Sequence, residues 1–359
     1  MQMHHDTCIV QTMGDAFRIH FTPKYSQITN GTQKGKDYKF FNKPMGVLHW
    51  LNSMTDNAPN ASHLPKDDIV VLLDPDQILT QPITGDFSSF SSVHNNKHHS
   101  KKVQHGMPFG QLYALGDKWT NFHLANITKD EQSPAIHVSS KDAIRYYRVG
   151  PPYLATVQDM HRIAIKWAEF APLVHEEYPH LLAEMYAYCI AAAHLNLKHQ
   201  VMNTLMVSNT GMGREEGWDL IDGLQSDHTC WNASFQTENL NHMQDLLPTV
   251  IHYCQRYMIG KWFFGKRKMP KDIFSCTSPL LQMPSIEESK TLSTIYNYAI
   301  PPPPHKPPGE HKHIRHPKRE AFMFCYLTNA VNEAAMFYQE RHCHGTQKPP
   351  EPLHLWAIR

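Results

Sequence analysis

Two aspartates with one proline between them, Asp74-Pro75-Asp76, stand at the end of the apolar run VVLL. Carboxylates held so close repel, and the repulsion is relieved when a positive charge sits between them. A hard divalent cation such as Mn²⁺ or Mg²⁺ suits that position, because it favours carboxylate oxygen and keeps sites open for phosphate. In an extended strand residues i and i+2 face the same way, so both carboxylates would aim at one point. Pro75 supports this by biasing Asp74 towards β. The competing reading is a polar turn, for which Asp-Pro-Asp is good chemistry without any metal. His252 ends a second apolar stretch, PTVI. A neutral imidazole is a competent Mn²⁺ ligand; the plainer alternative is a core histidine bonded to a backbone carbonyl.

Further candidates surround these. Lys261, in Gly260-Lys261-Trp262, could neutralise a diphosphate, with Gly260 letting backbone approach; otherwise it is an exposed lysine beside a packed tryptophan. Lys43 precedes a helix and is a second phosphate or uracil candidate, while Asn42 reads as that helix's cap. Glu184 lies between Leu181 and Tyr188 at helical spacing and borders an apolar face. A carboxylate drawn towards a core has a partner or a task, so the choice is between catalysis and a salt bridge to a nearby Lys or Arg. Arg214, Glu215 and Glu216, in GMGREEGW, read as an acceptor wall or as solvated charge. Gln77 and Trp218 are weaker candidates.

The elements that must position these groups follow from periodicity. DDIVVLLDPD reads as a strand covered on both faces. NKPMGVLHWL is a helix with Pro44 in its first turn, and AFRIHF alternates like a short strand. MPFGQLYALG, VMNTLMV and PTVIHY read as further strands. Helices are expected from Tyr153 to about Glu169, ending before Pro172, and from about Pro179 to Leu197. Residues 84 to 107 are a polar loop, 301 to 319 a Pro-rich surface wrap, and residues 321 to 342 a closing amphipathic helix. Alternating strands and helices favour a mostly parallel or mixed sheet.

Composition narrows the class. The chain has 359 residues, 41% of them apolar, which is enough for an enzyme core. Its formal net charge of +1 argues against nucleic acid or a membrane surface as a partner held by bulk charge. No apolar run reaches the roughly 18 residues of a membrane span, and the first residues lack a signal-peptide apolar region. Seven cysteines show no CxxC spacing. Cys189 and Cys254 read as small buried hydrophobes; one disulfide among Cys230, Cys276, Cys325 and Cys343 is open. Sequons at Asn30, Asn60, Asn126 and Asn232 permit a secretory lumen.

NKPMGVLHWL followed by DDIVVLLDPDQILTQPI resembles the core of peptidyl-serine α-galactosyltransferases and, more distantly, hydroxyproline O-arabinosyltransferases. The likeness continues through VGPPYLATVQDMHRIAIKWAEFAP, LLAEMYAYCIAAAHLNLKH, VIHYCQRYMIGKWFF and the helix with NAVNEAA, over residues 40 to 345. It implies an α/β, GT-A-type nucleotide-sugar fold with a mixed, mostly parallel central sheet flanked by helices. It also implies a Golgi or ER lumenal setting, Mn²⁺ (or Mg²⁺), a UDP-sugar donor and a Ser- or hydroxyproline-containing acceptor protein. Asp74 and Asp76 match the family's Asp-X-Asp metal motif, and His252-Tyr253 its His-Tyr pair, which makes His252 the third ligand. Galactose is the favoured sugar. Arabinose is the alternative, because proline at the middle position is closer to the arabinosyltransferase pattern. The reaction implied is transfer with retention, Glu184 stabilising the oxocarbenium-like transition state or placing the acceptor. Residues 1 to 40 read as a truncated first unit, 41 to 345 as the transferase domain and 346 to 359 as a tail. Two other readings stay beside this one: a non-catalytic binding protein of the same shape with an incomplete nucleotide site, and a metal-dependent phosphohydrolase.

Overall fold

The computed structural model describes residues 19–29, 34–54, 64–83, 85–87, 102–213, 215–223, 247–285, 288 and 316–343. The chain divides into two compact units: Met1–Val71 with His98–Val201, and Leu72–Lys97 with Met202–Arg359. Nine strands are described: β1 Ile69–Leu72, β2 Gln77–Leu79, β3 Phe109–Leu112, β4 Val149–Thr156, β5 Gln200–Met202, β6 Met206–Val207, β7 Val250–His252, β8 Arg256–Ile259 and β9 Trp262–Gly265. They form three sheets, ordered β1-β4-β3-β5, β2-β7-β6 and β8-β9. The architecture is mixed α/β. Of the pairs with defined register, β2–β7, β3–β4 and β8–β9 run antiparallel and only β6–β7 parallel, so "mostly parallel" does not describe them.

The first unit is built on the four-stranded sheet. β4 is buried along its whole length, where helix was expected from Tyr153. Gly150-Pro151-Pro152 keeps the chain extended as far as Pro152, and sheet pairing carries the strand on, with Tyr153 opposite Gly110 and Leu154 opposite Phe109 of β3. The helix starts at Val157, where the Thr156 hydroxyl caps it by accepting from Asp159 N. It then runs through Pro172 to Glu177. Pro172 removes one helical donor, yet Met160, Ile163, Ala164, Trp167, Phe170, Ala171 and Val174 are all buried and hold the helix together across it. The next helix, Ala183–His194, is buried on every side through Ala193, so it is a core element rather than an amphipathic one. Leu181 lies before it and is exposed. Trp167 Nε1 donates to Glu184 O at 2.8 Å, and the Tyr188 ring stacks on Tyr153 at 3.9 Å. Gly150 has to be glycine, since a Cβ there would lie 2.2 Å from the Tyr113 ring.

In the second unit, β7 is the centre of a sheet, with Gln77 opposite His252 on one side and Val207 beside Ile251 on the other. The VMNTLMV stretch is not one strand but two short ones, placed in different sheets. β8 and β9 are joined by Gly260-Lys261, with Gly260 at φ +56°, the positive φ that a two-residue hairpin requires at its first loop position. The closing helix spans Pro317–His342, with Pro317 in the first turn. Its Arg319–Thr328 stretch is buried in a core with Trp218, Ile251, Tyr257, Trp262 and Phe264. Cys276 and Cys343 form a disulfide, and Cys325 is also disulfide-bonded.

Several expectations lie outside the described residues: the first half of AFRIHF, the 301–315 wrap, the tail and Arg214. The described end of AFRIHF, residues 19–21, is not strand. Among the described residues no helix is long and apolar enough to cross a membrane.

Candidate metal centre

β1 stops at Leu72, and Asp74 to Gln77 form a turn closed by Gln77 N donating to Asp74 O at 3.0 Å. The two aspartates therefore do not share a strand face as expected. Nor is β1 covered on both faces, since Ile69 is exposed. The turn reading holds for the backbone, and the turn itself brings the carboxylates together. Pro75 at its second position fixes φ where a turn wants it. Gln77 braces it further, its Oε1 accepting from Asp74 N at 2.8 Å. Tyr253 N donates to Asp76 O at 3.0 Å, tying the turn to the chain just beyond β7.

That tie places His252 against the turn. Its Nε2 lies 3.3 Å from Asp76 Oδ1, and one ligand atom each from Asp74, Asp76 and His252 fall within 4.8 Å of one another. Ligands about 2.1 Å from a small divalent ion are about 3 to 4 Å apart, so a slight contraction would let all three reach one ion and leave its other positions open. Imidazole plus two carboxylates is a donor set for Mn²⁺ or Mg²⁺. His252 Nδ1 is buried without a hydrogen-bond partner among the described residues, so the ring is not committed to a backbone carbonyl as the plainer reading required. The site fits the ion. The Lys266 ammonium pairs with Asp76 Oδ2. Together the His252 hydrogen bond and Lys266 hold the Asp76 carboxyl well below the usual carboxylate range, against the opposing effect of burial.

Lys266 was not singled out in the sequence, although KRK at 266–268, directly after the GKWFFG hairpin, is a visible basic run. Lys261 sits at the hairpin's turn, is half exposed, and pairs with Glu288 at 2.5 Å. β8 pairs with β9 over four residue pairs, so Gly260 and Lys261 lie at one end of the hairpin and Lys266 leaves the other. The structure brings Lys266, not Lys261, to the aspartates.

Lys43 and Glu184 belong to the first unit and pair with each other at 3.5 Å. Glu184 is 2% exposed, and its backbone N donates to the Tyr38 hydroxyl at 3.1 Å. The salt-bridge reading of Glu184 is the one observed, and its partner is the other candidate. Asn42 does not cap its helix; its Oδ1 accepts from Tyr25 N at 2.8 Å. Glu216 is neither solvated nor an open wall, being buried and accepting from Ser208 N, Asn209 N and Trp218 Nε1. Cys254 is exposed rather than buried, while Cys189 is buried as expected.

With this geometry established, comparison with known proteins gives one relative. The chain is 23% identical over 265 residues to peptidyl serine alpha-galactosyltransferase of Arabidopsis thaliana, covering 72% of this chain and 26% of that protein. The chain is similar, at low identity, to a glycosyltransferase. It spans about a quarter of that relative's length. No family model matches the chain, and no solved structure matches it.

Proposed function

We propose that the chain is a metal-dependent glycosyltransferase that moves a sugar from a UDP-sugar to a hydroxyl of a protein, on a GT-A-type fold. The observation that carries this reading is the Asp74–Asp76–His252 cluster, formed by a turn and a strand end that the sequence brings together. The relative's name favours galactose as the sugar and serine as the acceptor; arabinose and hydroxyproline are the alternatives.

Asp74, Asp76 and His252 would hold Mn²⁺ or Mg²⁺. The ion would neutralise the charge that grows on the departing diphosphate. In the reaction the bond from the anomeric carbon to the diphosphate oxygen breaks, and one to the acceptor oxygen forms on the same face. The acceptor's proton passes to the departing diphosphate, so no protein base is required. Glu184 is not given the catalytic task here, because a carboxylate buried against Lys43 is already matched in charge. A lumenal, oxidising setting is part of the proposal. The Cys276–Cys343 disulfide and the exposed sequon residue Asn126 are in keeping with it.

The test is calorimetric titration of UDP with and without Mn²⁺, into the native chain and Asp76→Ala. Binding that needs Mn²⁺ and is lost in the variant supports the site, and product analysis with UDP-galactose and UDP-arabinose then assigns the sugar. A folded native chain that binds UDP equally well without metal would overturn the metal-dependent reading.

A further inference from the structure

Lys266 lines a groove of about 250 Å³ whose walls also carry Arg256, Arg267 and Lys268. Among the described residues no carboxylate lines this groove, and Arg256, Arg267 and Lys268 form no ion pair. Like charges gathered in one concavity repel unless an anion lies among them. The backbone helps to gather them: Arg256 faces Gly265 across the hairpin, and Lys266–Lys268 form a single 3₁₀ turn directly after it. A ligand that carries several negative charges within a few ångströms, as a diphosphate does, suits both the size and the charge.

Lys266 joins this groove to the metal centre. Its ammonium rests on Asp76 Oδ2 while His252 faces Oδ1, so both oxygens of Asp76 are engaged. A divalent ion held by Asp74, Asp76 and His252 needs Asp76 without a competing ammonium beside it. An ammonium on a flexible four-carbon stem can leave and turn to another acceptor at small cost.

We propose that the groove of Arg256, Arg267 and Lys268 is a diphosphate site, and that Lys266 is its exchangeable member. Lys266 serves as counter-ion to Asp76 in the metal-free chain and moves to the diphosphate when a divalent ion takes that carboxylate. This rests on the metal-centre reading above, and it replaces Lys261 by Lys266 as the lysine that meets the donor. One consequence is ordered assembly. Metal binding releases the lysine that the anion uses, and the anion stabilises the released lysine, so each ligand favours the other.

The experiment is calorimetric titration of Mn²⁺ into the native chain, Lys266→Met, Arg267→Met and Asp76→Asn, with near-ultraviolet circular dichroism confirming that each variant is folded. Inorganic pyrophosphate is then titrated into the metal-free native chain, Asp76→Asn and the Arg267→Ala/Lys268→Ala pair. Exchange predicts that Lys266→Met binds Mn²⁺ at least five-fold tighter than native. Arg267→Met removes the same charge without touching Asp76 and should change Mn²⁺ affinity less than two-fold. Asp76→Asn should lose Mn²⁺ but bind pyrophosphate at least three-fold tighter, because Lys266 is freed. The paired groove variant should bind pyrophosphate at least ten-fold more weakly. Mn²⁺ binding that Lys266→Met leaves unchanged, or tightens no more than Arg267→Met, overturns the exchange and leaves the metal centre standing. Absence of Mn²⁺ binding in native and Lys266→Met alike overturns both. Pyrophosphate binding indifferent to the paired variant overturns the groove.

Discussion

Glu216 offers a quantitative test of how the second unit holds its site. Its carboxylate is 6% exposed and accepts from Ser208 N and Ser208 Oγ at 2.6 Å each, from Trp218 Nε1 at 2.9 Å and from Asn209 N at 3.1 Å. Burial pushes its pKa up, while the bonds from Ser208, Asn209 and Trp218 act the other way. Glu216→Ala removes the acceptor for two backbone N–H groups. The Ser208 hydroxyl can rotate away, and Trp218 keeps a second acceptor in Asn209 O. At about 1 to 3 kcal/mol for each orphaned buried donor, the substitution should cost about 3 to 5 kcal/mol. Glu216→Gln should behave differently. The amide nitrogen can face Ser208 Oγ, which then accepts, while the remaining oxygen keeps the three N–H donors. Loss of a buried charge offsets what strain remains, so the cost should stay within about 1 kcal/mol. Urea unfolding at pH 7, followed by near-ultraviolet circular dichroism, reads both values. The effect should also reach the metal centre. The buried Tyr257 hydroxyl lies 2.9 Å from Ser208 O and 3.1 Å from His252 O, so loosening Ser208 loosens His252. Mn²⁺ affinity should fall in the alanine variant and persist in the glutamine one. An alanine variant less than about 1 kcal/mol destabilised, or a glutamine variant as unstable as alanine, would refute the reasoning.

Three further outcomes follow from the first unit. Lys43→Met removes the ion pair of the buried Glu184 and should cost about 2 to 3 kcal/mol in urea unfolding; adding Glu184→Gln should restore at least half of it, and a catalytic Glu184 with no ion-pair role would show no such rescue. His199 is buried against the Tyr188 hydroxyl and its pKa is lowered by burial from 6.5 to about 3. Between those values the folded ring is neutral and the unfolded one binds a proton, so stability should rise with pH across that window, by up to about 1.4 kcal/mol per pH unit. Urea midpoints measured across it should flatten in His199→Gln, and an unchanged slope would exclude this histidine as the source. Gly150→Ala drives a methyl into the Tyr113 ring and should cost about 2 to 3 kcal/mol, read as a lower thermal midpoint; an unchanged midpoint would mean that the strand can shift without strain.

Where the sequence was legible, a strong local signal agreed with the tertiary environment. The helix Asn42–Ser53, the strand at His252 and the closing helix all carry their pattern within a dozen residues. The aspartates were legible as chemistry but not as geometry. An apolar run ending at Leu73, with Pro75 between the two aspartates that follow, allows either a continued strand or a turn, and only the ties from Gln77 and Tyr253 decide for the turn. The start of the Val157–Glu177 helix was missed because buried apolar residues in β4 and in the helix look alike without their cap at Thr156. Pro172 misled in the other direction: its local cost is real, and long-range packing outweighs it. The pairing of Lys43 with Glu184 joins distant positions and leaves no mark in local spacing. Lys266 was missed because a basic triplet on its own reads as solvated surface.

The two halves of the metal centre lie far apart along the chain. Lys266 and Asp76 are separated by 190 residues, and β2, only three residues long, has no partner until β7 exists. During synthesis the two carboxylates emerge after Met1–Val71, and the rest of the first unit, His98–Val201, follows them out before β7 appears. Long-range closures of this kind are slow and come late in folding. The centre is therefore a record of completed assembly: a chain that grips a divalent ion with all three ligands has already brought its distant segments together, and a chain stalled halfway holds two carboxylates with no imidazole to meet them.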